Sequence, residues 1–234
     1  MSVEVRRGSV RFATRGEGRI TRHSFSFGDH YDPDNVGFGP MVCHDDHLLR
    51  GGAGYPDHPH RDLEIVTWVL SGALVHTASV GPPTTVGTGR VQVLSAGTGV
   101  SHSEIAETGS GPTRFVQTWV RPDESGVAPS YNTATIGDAL ASGELVPVVS
   151  GRHRSAAARI GTASATLYAA LLGAGDTVVL PEDPLQHVFV ATGSLARSSL
   201  AEPLSAGDAF RITDRPGLTL TAASPTELLV WSFG

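Results

Sequence analysis

The chain has 234 residues, of which 40% are hydrophobic and 17% are charged, and its formal net charge is −6 at pH 7. This composition is typical of a folded globular protein, and the negative charge predicts no direct binding to the phosphate backbone of nucleic acids. All 17 basic residues are arginine. The absence of lysine excludes a lysine Schiff base, a pyridoxal phosphate anchor and a phosphate-loop lysine.

The sequence has no run of about 20 apolar residues, the length that a membrane-spanning helix needs. Arg6 and Arg7 are not followed by an apolar core, so we expect no secretory signal. Cys43 is the only cysteine, so no disulfide can form within the chain. These features predict a cytoplasmic protein without a membrane partner, because a chain without disulfides suits a reducing compartment.

Short runs of β-branched and aromatic residues, separated by glycine and proline turns, predict strands along the first half of the chain. These predicted strands are Glu64–Leu70, Ala73–Ala78, Arg90–Leu94 and Arg114–Val120. The first two form a predicted hairpin around Gly72. Many short strands at close spacing favour a sandwich or barrel, so the expected fold class is all-β.

Between about Pro122 and Arg154 the strand pattern weakens, and a short helix is expected within Thr135–Gly143. Strand-like runs then resume at residues 166–172, 177–180, 187–191, 209–212, 218–222 and 228–233. This change of pattern predicts an N-terminal domain over residues 1–125, a connecting segment over 126–160 and a C-terminal domain over 161–234.

Two short motifs contain metal-binding residue types spaced two positions apart. The first is His58-x-His60 and the second is His102-x-Glu104. In a strand, residues i and i+2 point to the same face, so each pair would project together. If the two strands are neighbours, three imidazoles and one carboxylate converge. Such a set suits a divalent first-row transition metal, with open positions for water, oxygen or substrate.

The two halves of the chain are loose repeats of one unit, in which the turn at Gly193 matches the turn at Gly72. This alignment puts Val179 and Pro181 opposite the two histidines of the first motif. The second half therefore lacks the first pair of ligands.

The second motif aligns with the second half in two ways, which the sequence leaves open. Pairing two glycine turns puts Leu220 and Ala222 opposite it. Matching two Leu-Ser-Ala-Gly runs puts Ile212 and Asp214 there instead. Neither alignment restores a ligand set, so we expect the second half to be a scaffold.

Other polar and aromatic residues are given simpler interpretations. The polar run from His44 to His47 predicts a solvated loop rather than a second metal site. His76 and His187 lie in predicted strands, where we expect ordinary hydrogen bonds. Trp119 is predicted to be a core aromatic residue, and Cys43 an inert buried thiol.

A series of short motifs occurs in order between about residue 20 and residue 131. They are Arg22–Phe27, Asp32–Asn35, Gly37–Pro40, His58–Arg61, Ser95–Gly99, His102–Glu104, Gln117-x-Trp119 and Pro129–Tyr131. In this series the chain resembles the pirin family of the cupin superfamily. The resemblance implies two stacked cupin (jelly-roll) β-barrels, an N-terminal one that binds metal and a degenerate C-terminal one without metal ligands.

The resemblance also implies one divalent transition metal per chain, with Fe2+ as the expected ion. The three-histidine, one-glutamate ligand set of the family falls on His58, His60, His102 and Glu104. Glu64 shares the face of His58 and His60, so we expect it beside this set or in place of its carboxylate.

The activity implied by the resemblance is that of a quercetin 2,3-dioxygenase, which uses O2 to open the central ring of a flavonol and releases carbon monoxide. Glu104 would be both a metal ligand and the catalytic base that accepts the proton of the 3-hydroxyl group. His23, His30 and Glu64 are expected to line the substrate site. Two alternatives stay open: an iron-dependent, redox-sensing regulatory protein that binds a protein partner, and a different small-molecule reaction such as isomerisation or hydrolysis.

Overall fold

The structure, a computed structural model, describes residues 2–197, 202–215 and 217–234. The strands of the first half are β1 (Ser2–Arg6), β2 (Ala13–Gly16), β3 (Arg19–His23), β4 (Met41–Leu49), β5 (Gly54–His60), β6 (Glu64–Ser71), β7 (Ala73–Ala78), β8 (Thr84–Gly87), β9 (Arg90–Ser95), β10 (Val100–Ala106), β11 (Thr113–Val120) and β12 (Ser130–Thr135). Those of the second half are β13 (Val146–Ser150), β14 (Ala158–Arg159), β15 (Ala165–Leu172), β16 (Thr177–Val179), β17 (Leu185–Thr192), β18 (Ser194–Leu195), β19 (Leu204–Ser205), β20 (Ala209–Thr213), β21 (Thr219–Thr221) and β22 (Thr226–Phe233). The predicted all-β fold class is confirmed.

The helical segments among the described residues are two short 3-10 helices, Gly8–Val10 and Gly137–Ser142. The second lies within the helix predicted for Thr135–Gly143. It ends at Gly143, which adopts a left-handed conformation (φ 72°) that glycine reaches without steric cost. Among the described residues, no helix is long and apolar enough to span a membrane.

Contacts between residues divide the chain into two compact units. The N-terminal unit contains Phe12–Thr135 and Ala158–Ala163, and the C-terminal unit contains Met1–Arg11, Ile136–Ala157 and Ser164–Gly234. The domain ranges 1–125, 126–160 and 161–234 stay predictions, and two segments depart from them. Strand β1 pairs with β20 in the C-terminal unit, while β12 pairs with β9 in the N-terminal unit.

Two antiparallel sheets make up the N-terminal unit. Their strand orders are β12-β9-β6-β11-β4-β3-β2 and β5-β10-β7-β8. Burial alternates along the strands, as in β10, where every second side chain of Val100–Ala106 is buried. Apolar side chains of both sheets, including the fully buried Leu74 and Phe115, form a common core. Burial of each such side chain contributes about 1.5–3 kcal/mol.

The main sheet of the C-terminal unit has the order β1-β20-β17-β22-β15-β13, and two smaller pairs are β16-β21 and β18-β19. The core of this unit is apolar and includes Val188, Phe210 and Val230.

The pairing of β16 with β21 decides between the two alignments of the repeat. It corresponds to the pairing of β5 with β10 in the N-terminal unit. Leu220 and Ala222 therefore stand where the second motif stands in the first half, and both are buried in the apolar core. The alternative that used Ile212 and Asp214 is wrong, because Ile212 lies in β20, next to β17.

The alignment of the first motif with the C-terminal half is wrong by one residue, because Val178 and not Val179 matches His58 in the structure. Val179, expected opposite a histidine, is 63% exposed, whereas the neighbouring Val178 and Leu180 are buried in the core. Because side chains alternate along a strand, a shift of one position exchanges the inner and outer faces. The inner face of β16 is thus apolar.

The predicted loop from His44 to His47 is wrong, because these residues form the buried middle of β4. This strand lies between β3 and β11 in the large sheet. Buried acidic groups need partners, and β4 obtains them from its neighbours. Asp46 accepts two hydrogen bonds from Arg114, at 2.9 and 2.8 Å, and Asp45 pairs with His23 at 2.7 Å.

Candidate metal centre

The two metal-type motifs lie on neighbouring strands, as expected from their spacing. His102 of β10 is directly opposite His58 of β5, and Val100 is opposite His60. Strand β5 lies at the edge of its sheet, which is where a strand can accommodate prolines such as Pro59 without losing essential hydrogen bonds. The motif His-Pro-His is therefore compatible with a regular strand at this edge.

The three imidazoles of the motifs form one cluster. Their ring centroids are separated by 4.4 Å (His58–His102), 4.9 Å (His58–His60) and 5.0 Å (His60–His102). One nitrogen from each ring lies within 4.8 Å of the others. A group with this geometry can hold a divalent metal ion.

Hydrogen bonds fix the orientation of two of these rings. Nδ1 of His58 lies 2.8 Å from the carbonyl oxygen of Pro56, and Nδ1 of His102 lies 3.0 Å from Nε2 of His76. The outer nitrogen of a metal-bound histidine is usually held in this way, which leaves the other nitrogen for the metal. Within the described residues, the buried Nε2 atoms of His60 and His102 have no hydrogen-bond partner, which fits a role as metal ligands.

Burial also keeps two members of the cluster, His60 and His102, in the neutral form that binds metals. Desolvation lowers the pKa of His60 to about 4 and that of His102 to about 3. His76 behaves in the same way, with a pKa of about 4. At neutral pH their ring nitrogens therefore offer lone pairs without first losing a proton.

Glu104 borders the same cavity but is not a member of the 4.8 Å group. Its side chain is 2% exposed, and burial raises the pKa of its carboxyl group. Nε2 of Gln117 donates to both of its oxygens, which opposes that rise because it stabilises the carboxylate. Nε1 of Trp119 donates to the oxygen of Gln117 at 2.9 Å. The carboxylate is therefore held at the cavity by a short chain of hydrogen bonds.

The cavity in front of the cluster has a volume of about 260 Å3, close to the lower end of the range for small-molecule sites, roughly 300–1,000 Å3. Five residues of the ligand motifs and of the Gln117-x-Trp119 motif border it: His58, His60, Glu104, Gln117 and Trp119. The polar residues Arg19, Thr21, His23, Asp45, His47 and Tyr55 also border it. The combination of an aromatic wall and several convergent polar groups is typical of a binding site for a small organic molecule.

The two histidines expected to line a substrate site differ in position. His23 borders the cavity, and its ring is stacked on Phe27 at 5.0 Å and paired with Asp45. His30 is not among the residues that border the cavity, and its ring stacks on Phe12 at 4.5 Å instead. The structure thus brings only the first of them to the site.

Glu64 does not border the cavity, although it has the strand parity of the two motif histidines. Its side chain is buried, accepts a hydrogen bond from Ser95 at 2.6 Å and is stabilised by the backbone of Gly161. Burial raises the pKa of this carboxyl group. Its contacts are those of a structural residue within the N-terminal unit.

Several cavity residues were not anticipated from the sequence. Trp119, predicted to be a core aromatic residue, forms part of the wall, with its ring 4.9 Å from that of His60. Asp45 and His47 were assigned to a loop, and Tyr55 was not singled out. The motif Gln117-x-Trp119 was the available signal, since alternation places both of its side chains on one face of β11.

Two family models match the sequence. The Pirin model matches residues 5–120, and the model of the quercetinase C-terminal cupin domain matches residues 147–231. A protein of Mycobacterium tuberculosis (strain ATCC 25618 / H37Rv), provisionally named a quercetin 2,3-dioxygenase, is 45% identical over 98% of this chain and 94% of its own length. The chain belongs to the pirin family. Its all-β units are accordingly the two cupin domains of that family.

Two proteins of Escherichia coli are also similar to most of this chain. A protein of Escherichia coli O157:H7 named quercetin 2,3-dioxygenase is 30% identical over 89% of this chain and 89% of its own length. The crystal structure of the bacterial pirin YhhW from Escherichia coli, in complex with nickel(II), superimposes with a TM-score of 0.89 at 27% identity, over 99% of this chain and 98% of that one.

Proposed function

We propose that this pirin-family chain is a mononuclear-metal dioxygenase that uses O2 to open the central ring of quercetin-like flavonols. The observation that carries the proposal is the cluster of three histidines, two of which have buried, unpartnered Nε2 atoms among the described residues. Two members of the cluster, His58 and His60, border one cavity together with the buried carboxylate of Glu104. The names of the similar proteins from Mycobacterium tuberculosis and Escherichia coli support this reaction class.

The proposed metal ligands are His58, His60, His102 and Glu104, with Fe2+ as the proposed ion and one ion per chain. The nickel(II) complex of the similar Escherichia coli pirin supports a transition metal in this fold. A divalent metal bound at such a site supplies Lewis-acid polarisation of a hydroxyl group coordinated to it.

Within this proposal, Glu104 accepts the proton of the flavonol 3-hydroxyl group on a carboxylate oxygen. Desolvation makes this carboxylate a stronger base than an exposed one, because burial raises its pKa. Gln117 holds the carboxylate in place during the proton transfer, and the indole of Trp119 holds the Gln117 amide. Overall, one O2 is consumed and one carbon monoxide is released for each flavonol opened.

The test is oxygen uptake with quercetin by protein reconstituted anaerobically with Fe2+. Wild-type protein should consume O2 and release carbon monoxide in equal amounts. Glu104→Gln should retain part of its iron and lose turnover by about a hundredfold or more, the range for loss of a general base. Glu124→Gln, which removes an exposed carboxylate, should behave like the wild type.

Two outcomes would contradict the proposal. Absence of O2 uptake by wild-type protein that holds its iron firmly would reject the flavonol dioxygenase reaction. Full activity of Glu104→Gln would reject Glu104 as the base. The regulatory alternative, with its protein partner, stays a prediction, since no feature of the described residues favours a partner surface.

A further inference from the structure

A second polar group, distinct from the proposed metal ligands, borders the cavity. The hydroxyl of Tyr55 bonds to the hydroxyl of Thr21 and to Nδ1 of His47, the latter at 2.7 Å. The hydroxyl of Thr21 also lies 3.1 Å from the same imidazole nitrogen. All three residues border the cavity, and Thr21 and His47 are 5% and 6% exposed.

This triad carries no charge at neutral pH. Desolvation lowers the pKa of His47 to about 4 and raises the pKa of Tyr55 to about 12. The imidazole is therefore neutral and the phenol keeps its proton. A neutral triad of this kind suits an uncharged polar group of a ligand.

The triad has hydrogen-bonding capacity that the protein leaves unused. A hydroxyl oxygen has two lone pairs in addition to its proton, so the bonds within the triad do not saturate Thr21 and Tyr55. Nε2 of His47 is buried and has no hydrogen-bond partner in the described part of the chain. Unused polar capacity at a buried wall is costly unless a ligand or water satisfies it.

Arg19 adds a cation beside the triad. Its guanidinium lies over the ring of Tyr55 at 4.9 Å and donates to the carbonyl oxygen of Gly54 at 2.8 Å. It makes no salt bridge with a carboxylate among the described residues, and it borders the cavity. An arginine has five N–H donors, so several remain for an oxygen atom of a ligand.

The triad lies close to the histidine cluster. The ring of Tyr55 is 6.4 Å from the ring of His58, between centroids. Phe27 and Trp119 border the same space, with ring centroids 5.9 Å apart. These two rings meet edge to face, with an interplanar angle of 70°, and they give the cavity an aromatic border of the kind that lines sites for small organic molecules. In a flavonol, the pendant phenyl ring is attached to the carbon next to the one bearing the 3-hydroxyl, so it would lie close to His58 and His60 if that hydroxyl were held at the histidine cluster.

We propose that Thr21, His47 and Tyr55, supported by Arg19, form a subsite for a phenolic hydroxyl group on the pendant ring of the substrate. This inference rests on the proposed function and narrows its substrate class to flavonols with a hydroxylated pendant ring. Such a hydroxyl donates to an oxygen of the triad and accepts from Arg19. A flavonol with an unsubstituted pendant ring leaves these groups unpaired.

The test compares quercetin, which has hydroxyl groups on the pendant ring, with galangin, which has none there. Both are bound to Fe2+-reconstituted protein under anaerobic conditions, and dissociation constants are measured by equilibrium dialysis. Wild-type protein should bind quercetin about tenfold more tightly, the effect of one good hydrogen bond. In Tyr55→Phe the ratio of the two constants should fall to near one. Thr21→Val is a second variant, in which the ratio should also fall.

Tyr31→Phe serves as the matched control, because Tyr31 is 73% exposed and does not border the cavity, so the ratio should stay at its wild-type value. Equal affinities in wild-type protein, or a preference that persists in both variants, would overturn the subsite. If quercetin binds with a Tyr55-dependent preference but no O2 is consumed, the dioxygenase proposal fails and the subsite stands. If neither flavonol binds, both proposals are rejected.

Discussion

The side-chain amide of Gln117 donates to both carboxylate oxygens of Glu104, at 2.8 and 2.9 Å. The orientation of this amide is itself fixed, because the indole of Trp119 donates to its oxygen. A flipped amide would set its oxygen against the carboxylate and leave the indole donor unpaired. Gln117 and Trp119 thus hold the Glu104 carboxylate in position before any ligand binds.

Replacing Gln117 tests this positioning role. Gln117→Leu removes the donor with little change of volume, so we expect kcat with quercetin to fall about ten- to hundredfold, since hydrogen bonds to charged groups contribute about 1.5–3 kcal/mol. KM should change little, because the amide does not bind the substrate in our proposal. Steady-state O2 uptake separates the two constants. An unchanged kcat would show that the carboxylate needs no such support.

The metal content of the protein is a second prediction. We expect one transition-metal ion per chain, because Leu220 and Ala222 occupy the positions of the second motif in the C-terminal unit. His60→Ala should abolish tight binding, whereas His30→Ala should bind normally, since His30 does not border the cavity. Elemental analysis after dialysis measures the metal content of the wild type and of the two variants. Two equivalents in the wild type, or normal content in His60→Ala, would place the site elsewhere.

The sequence predicts the centre of the site better than its surroundings. The spacing of His58 and His60 on one strand and of His102 on another determines which side chains share a face, and that is a local property. The all-β class follows in the same way from local strand and turn patterns. The sequence left two alignments of the second motif with the C-terminal half, and only the observed pairing of β16 with β21 decides between them.

The residues that the sequence interpretation missed depend on distant partners. The polar run of β4 is buried because Asp46 meets Arg114, 68 positions along the chain, and Asp45 meets His23. Residue type alone predicts a solvated loop there, since unpaired buried acids are costly. Glu64 shows the reverse case. It has the right strand parity for a ligand, yet a bond from Ser95 on β9 holds it within the fold.

The contact between His76 and His102 leads to a third prediction. Nδ1 of His102 is held by Nε2 of His76, whose ring is stacked on Tyr131 at 4.6 Å. His76→Phe keeps a flat ring for this stacking and removes the hydrogen-bond partner. We expect a ten- to hundredfold loss of metal affinity, roughly the effect of removing such supporting bonds in metal sites. Competition with a chromophoric chelator measures the affinity, and wild-type affinity in the variant would exclude the positioning role.

The pH dependence of stability is the fourth prediction, and it concerns His47 in metal-free protein. Burial lowers the pKa of this imidazole from 6.5 to about 4. Between these values the unfolded chain holds a proton that the folded protein lacks, so unfolding takes up protons and stability falls as the pH falls from about 6.5 towards 4. The contribution of His47 to this slope is at most about 1.4 kcal/mol per pH unit.

His47→Gln isolates this contribution, because the other buried histidines remain in both proteins. The free energy of unfolding, measured by urea denaturation at several pH values between 4.5 and 8, should depend less steeply on pH in the variant below about pH 6.5. Above about pH 7 the two curves should run parallel, since both states then carry a neutral imidazole. Parallel curves over the whole range would mean that His47 is protonated equally in the folded and unfolded states, contrary to its burial between Thr21, Tyr55 and Phe115.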